Sequence, residues 1–126
     1  MIDFGPDRLG HCCFLTPDQI KLVVDKNIPV EICPSSNVAA TQCGLPQFLP
    51  HLKEFKKYNE ANLIICCDDT FLFNTNLSME LFEYTKAMSI TDNEQIKSQL
   101  IKNVDAIFMD DLSYKQKLKD EIFNKY

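Results

Sequence analysis

At 126 residues the chain can bury one core of its own and is too short for two domains of ordinary size. Its 45% hydrophobic and 25% charged residues exclude a disordered or low-complexity chain. A net charge of −5 argues against a nucleic-acid polymer or an anionic membrane as main partner. The late lysines, Lys115, Lys117 and Lys119, stand among acids and read as a solvated helix face.

No apolar run approaches the ~20 residues that a membrane span needs. The opening Met1-Ile2-Asp3-Phe4 has neither the basic nor the apolar region of a secretory signal. Of the six cysteines, four form the vicinal pairs Cys12-Cys13 and Cys66-Cys67, in apolar, strand-like runs where a disulfide framework would not put them. They read as reduced, buried thiols, which places the chain in the cytoplasm. No C-x-x-C spacing of a zinc ribbon occurs.

In chain order, the first strand is expected near 8–15. Thr16-Pro17-Asp18-Gln19 is a capping box with proline at the first helical position, and Ile20, Val23 and Val24 give the following helix its apolar face. A second strand is expected near 29–34, leading into the polar loop Ser35-Ser36-Asn37. Residues 38–50, with Gly44, Pro46 and Pro50, read as an irregular connection, and His51 opens a short helix through Leu52 and Phe55. The third strand, 63–67, is unbroken in its apolarity, as suits a strand buried on both faces of a parallel sheet. Helices over 78–88, 92–109 and 113–125 follow, the second opened by the capping box Thr91-Asp92-Asn93-Glu94 and the third by Ser113 with Gln116. The order β-α-β-α-β, followed by these three helices, indicates an α/β fold with parallel strands.

In parallel α/β folds, functional groups collect where strands end. Here the strands deliver Gly10-His11, Ser35-Ser36-Asn37 and Asp68-Asp69 to that boundary. Adjacent carboxylates repel unless a cation or a substrate proton compensates them, so one aspartate can hold a metal while the other holds a substrate nitrogen. Each signal has a plainer reading. An Asp-Asp pair is more often a helix cap, a lone His11 in a strand more often a satisfied core residue, and His51 more often an ordinary helix residue. The vicinal cysteines read as core packing.

As a set they are more specific. Arg8-Leu9-Gly10-His11, then Val30-Glu31-Ile32-Cys33-Pro34-Ser35-Ser36-Asn37-Val38, then Ile65-Cys66-Cys67-Asp68-Asp69 resemble, in order, the C-terminal motifs of the adenosine deaminase family. Leu77-Ser78 and Glu83-Tyr84 are similar to the serine and glutamate-tyrosine on the helix after the family's last strand. Asp3-Phe4, Pro6-Asp7-Arg8 and the Ser-Asn-Val ending resemble the N(6)-methyl-AMP deaminase-like branch.

The resemblance implies strands six to eight of a (β/α)₈ barrel, an incomplete barrel in which residues 1–126 are part of a deaminase domain. It implies a zinc-dependent hydrolytic deaminase of an adenine nucleoside or nucleotide. In it Asp68 would be a zinc ligand, His11 would orient the attacking hydroxide and Asp69 would accept a hydrogen bond from the purine ring. The family's His-x-His pair, third zinc histidine and proton-shuttling glutamate have no counterpart in the sequence, whose histidines are His11 and His51. Cys12 stands where the family usually has glycine, and Thr70 where it has a turn residue. The expectation is therefore a fragment or shortened product that is inactive alone and self-associates through open barrel edges. The alternative is a degenerate, non-catalytic binding or scaffold module. A flavodoxin-like nucleotide-binding unit lacks its glycine-rich loop here.

Overall fold

The computed structural model describes residues 2–125. Three short strands, β1 (Leu9–Gly10), β2 (Val30–Ile32) and β3 (Leu63–Ile65), form one parallel sheet in the order β1-β2-β3. Helix α1 (Pro17–Asp25) joins β1 to β2. Helices α2 (Pro34–Thr41) and α3 (Pro50–Phe55), with a 3₁₀ turn at Pro46–Phe48, join β2 to β3. Helices α4 (Leu77–Met88), α5 (Asn93–Asp105) and α6 (Leu112–Lys125) follow. The parallel sheet and alternating helices make this an α/β fold.

Register and alternation assign the two faces of the sheet. Leu9, Val30 and Leu63 stand side by side, as do Ile32 and Ile65, and all five join the buried core with Ile20 and Val23 of α1 and Leu52 and Phe55 of α3. The opposite row is Gly10, Glu31 and Ile64. There Glu31 is paired with Arg8, whose guanidinium also lies 4.3 Å from the Phe108 ring centre and donates to the Ala106 carbonyl at 3.0 Å. One arginine thus ties the start of the chain to the segment after α5.

The capping box at Thr16 forms in full: its hydroxyl accepts from the Gln19 amide, and the Gln19 side chain accepts from the Thr16 amide. Several boundaries differ from the sequence expectation. The first strand stops at Gly10 because His11 and Cys12 take left-handed backbone angles, φ 58° and 56°, which turn the chain away. The second strand stops at Ile32 because Pro34 starts α2, so Ser35-Ser36-Asn37 is the first turn of a helix and not a loop. The third strand stops at Ile65, although the Cys66 amide still donates to the Ile32 carbonyl. Asp92, not Thr91, caps α5. That helix ends at Asp105, short of 109, and Arg8 takes up the Ala106 carbonyl and the Phe108 ring beyond it. Asp111 rather than Ser113 accepts from the first amides of α6, those of Ser113 and Tyr114.

The expectation of two open sheet edges fails on the β3 side. Asn103 of α5 accepts from the Ile65 amide at 3.1 Å and donates to the Ile65 carbonyl at 2.8 Å, as a neighbouring strand would. Gln99, one helical turn earlier, donates to the Leu63 carbonyl at 2.6 Å and accepts from the Tyr84 hydroxyl. Burial raises the Tyr84 pKa, which keeps that hydroxyl a donor. Asn103→Ala should leave the Ile65 groups unpaired and cost about 2 kcal/mol in urea unfolding. An unchanged unfolding midpoint would show that the edge does not depend on this amide.

Candidate active site

The carboxyl ends of the three strands open onto one cleft of about 710 Å³. Its polar groups include His11, Ser36, Asn37 and Asp68, and its apolar wall includes Phe14, Leu15 and Phe73. His11 follows β1 directly, and its amide still donates to the Glu31 carbonyl of β2 at 2.9 Å. The Cys12 amide turns back to the Gly10 carbonyl at 2.7 Å, so the imidazole is presented from a tight turn rather than along a strand. Cys12 itself is held in the left-handed region, at the position where the sequence departs from glycine. Its burial pushes the thiol up to about 11, as burial pushes that of Cys33 up to about 12. The six cysteines are all unpaired, and these two are inert core residues.

Asp68 and His11, far apart in the chain, meet here: Asp68 Oδ2 lies 3.9 Å from His11 Nε2. Both side chains stay partly exposed, at 38% and 45%. The second imidazole nitrogen, Nδ1, is held 2.9 Å from the Asn37 side-chain amide. Asn37 is 1% exposed, one turn into α2, whereas the sequence places it in a polar loop, among the groups gathered at the strand ends but with no role of its own. The signal that could have found it is Pro34: a proline at a first helical position, followed by small polar residues, is a helix start.

Asp69 is oriented differently from its neighbour. Its amide donates to Asp68 Oδ1 at 2.8 Å, and its own Oδ1 accepts from the Leu72 amide at 2.7 Å. The pair therefore builds the turn after β3 with one oxygen each. Asp68 Oδ2 is left facing His11. The Glu83-Tyr84 pair is engaged elsewhere: Glu83 pairs with Lys86, and Tyr84 with Gln99. The buried carboxyl of that helix is Glu80, 1% exposed, which accepts from the Ser35 amide at 3.0 Å and from the Thr75 hydroxyl at 2.7 Å. Among the described residues no group of three or more His, Cys, Asp and Glu side chains is gathered closely enough to hold a metal ion.

The adenosine deaminase family model matches residues 1–125. The N6-mAMP deaminase of Arabidopsis thaliana is 32% identical over 120 residues, covering 94% of this chain and 32% of that protein. The adenosine deaminase-like protein of Drosophila melanogaster is 35% identical over 97 residues, 76% of this chain and 28% of the relative. The apo structure of the Arabidopsis thaliana N6-methyl-AMP deaminase superposes with a TM-score of 0.84 at 27% identity, over 99% of this chain and 36% of that one. A structure described as the ADAL–IMP complex superposes equally, with a TM-score of 0.84 at 29% identity, over 98% and 35%. The parallel sheet, its helices and these matches define part of a deaminase domain. The chain belongs to the adenosine deaminase family, and it spans about a third of the length of these relatives.

His51 proves to be neither exposed nor satisfied. It is 1% exposed in α3, and neither ring nitrogen has a hydrogen-bond partner among the described residues; nor does Asn37 Oδ1. Burial, with a smaller contribution from the charge of His11, lowers its pKa from 6.5 to about 4. The unfolded chain takes up this proton near its ordinary pKa, while the folded chain refuses it until about pH 4. Stability is therefore complete above pH 6.5 and falls between 6.5 and 4, by on the order of 3 kcal/mol. His51→Leu should flatten that limb in unfolding curves measured from pH 7 to 4. Parallel curves for parent and variant would show that His51 is not the titrating group.

Proposed function

We propose that this chain is the part of a hydrolytic adenine-nucleotide deaminase that carries strands six to eight of a (β/α)₈ barrel. The observation that supports it most is the meeting of His11 and Asp68 across one cleft, with Asn37 bonded to the far side of the imidazole. Hydrolytic deamination adds water at C6 of the purine and releases the amine from the same carbon, leaving a 6-oxo purine. It needs a group that orients the water and takes its proton, and groups that hold the ring.

In this reading His11 Nε2 and Asp68 Oδ2, 3.9 Å apart, flank the attacking water, which is within reach of both when it sits beside the gap. Asn37 keeps the ring from rotating out of that position. Asp69, with Oδ1 engaged by Leu72, has Oδ2 left to hold the base; because the ring nitrogens of AMP carry no hydrogen, that bond forms with Oδ2 protonated and donating. Phe14, Leu15 and Phe73 exclude water from one side of the cleft. A nucleotide substrate is favoured over a free nucleoside by the relatives: several are named N6-methyl-AMP deaminases, and similar structures are described as complexes with IMP and GMP. IMP is the 6-oxo nucleotide that this reaction yields from AMP or from its N6-methyl form.

A catalytic zinc takes three protein ligands and an open position. The described residues offer one carboxylate, Asp68, with His11 beside it, so they do not fit a zinc site by themselves. The other ligands would come from the two-thirds of the relatives' length outside this match. Alone, the chain should release no amine and hold no stoichiometric zinc. Joined to the upstream two-thirds of the Arabidopsis thaliana relative, it should release methylamine from N6-methyl-AMP. In that joined protein Asp68→Ala should lower turnover by on the order of a hundredfold or more. Turnover by the 126-residue chain alone, or undiminished turnover in Asp68→Ala, would contradict the assignment.

A further inference from the structure

We infer that Glu80 is a positioning residue that sets the gap between His11 and Asp68 by tying the first turn of α2 to the loop after β3. The catalytic use of that gap rests on the deaminase reading; the geometric claim does not. Glu80 is 1% exposed, and no step proposed for the reaction uses it. A buried carboxyl is costly unless its oxygens are bonded, and here both are. Oε2 accepts from the Ser35 amide at 3.0 Å, and Oε1 from the Thr75 hydroxyl at 2.7 Å.

Those two bonds close a ring around the cleft. Ser35 stands two positions before Asn37 on α2, and Asn37 is bonded to His11 at 2.9 Å. Thr75 is anchored to Thr70, its amide donating to the Thr70 carbonyl at 3.2 Å, and Thr70 is two positions after Asp68. His11 and Asp68 then face each other at 3.9 Å. The ring thus runs His11, Asn37, Ser35, Glu80, Thr75, Thr70, Asp68. Its two facing ends lie just past β1, which ends at Gly10, and β3, which ends at Ile65; the His11 and Cys66 amides still reach β2, but neither the His11 ring nor Asp68 is held by a strand partner. Among the described residues no backbone hydrogen bond links α2 to the 68–76 loop, so beside the packing of α2 on α4 it is Glu80 that supplies the directional tie between them. A displacement of about 1 Å in such a gap is enough to cost on the order of a hundredfold in rate.

Conservative replacement separates positioning from charge. In Glu80→Gln the amide oxygen can accept from Ser35, and its NH₂ can donate to the Thr75 oxygen. Glu80→Ala removes both bonds, and Thr75→Val removes one with little change in volume. The test is a two-dimensional NMR comparison of the 126-residue chain at about pH 7, reading the Asn37 side-chain amide, the His11 ring protons, and the Val30, Ile32 and Ile65 backbone amides. Glu80→Ala and Thr75→Val should move the Asn37 and His11 signals while leaving the strand amides in place, and Glu80→Gln should return them toward the parent. If Glu80→Ala does not fold, Thr75→Val decides by the same signals. Unmoved Asn37 and His11 signals in a folded variant, or a displacement shared equally by the strand amides, would overturn the inference. Because no turnover is read, failure of the deaminase reading leaves this result standing, and the reverse also holds.

Discussion

The bond between the Asn37 side chain and His11 Nδ1 is the contact on which the cleft depends. His11 has left its strand, sits at φ 58° and is nearly half exposed, so sheet pairing alone does not fix its ring. Asn37 does so from a site that is itself enclosed, 1% exposed in the first turn of α2. That turn is in place because Pro34 starts the helix immediately after β2, the central strand, whose Val30 and Ile32 are fully buried. Core packing is thereby carried, through one helix turn, to an imidazole that has to stay open to solvent.

Much of this is readable from residue order. Unbroken apolarity over Leu63-Ile64-Ile65 and the capping box at Thr16 indicate buried parallel strands joined by helices, and the sheet has that order. The aspartates after β3 and the histidine after β1 are also legible as neighbours, because parallel strands end on one edge. What escapes is set by local backbone chemistry that residue type disguises. His11 and Cys12 adopt left-handed angles without a glycine, so the strand looks longer in sequence than it is. Pro34, Pro46 and Pro50 each open a helical turn, yet proline in such a stretch reads as a breaker. Glu80 cannot be told from Glu83 by sequence, since three positions on a helix separate a buried acceptor from one that meets Lys86 at the surface.

Helix α5 does for the sheet edge what α2 does for the imidazole. Asn103 and Gln99 present donor and acceptor groups to Leu63 and Ile65 where another strand would, so that edge is not left unpaired. Elsewhere the surface keeps large apolar groups in solvent: Phe71 is 96% exposed and Phe14 79%. Phe14 borders the cleft, and Phe71 belongs to the turn that follows Asp68-Asp69. Under the proposed reading these are surfaces that the rest of a barrel covers, because exposed aromatic side chains beside a site mark a missing contact.

Under the proposed function the three strand ends form a single nucleotide-facing site. The most direct test of this is an NMR titration of the isotope-labelled chain with inosine 5′-monophosphate, read at every backbone amide. Saturable shifts confined to residues 10–15, 35–40 and 68–73 are expected. Shifts centred instead on the α4–α5 groove around Phe82 and Ile96, or spread evenly over the surface, would contradict it.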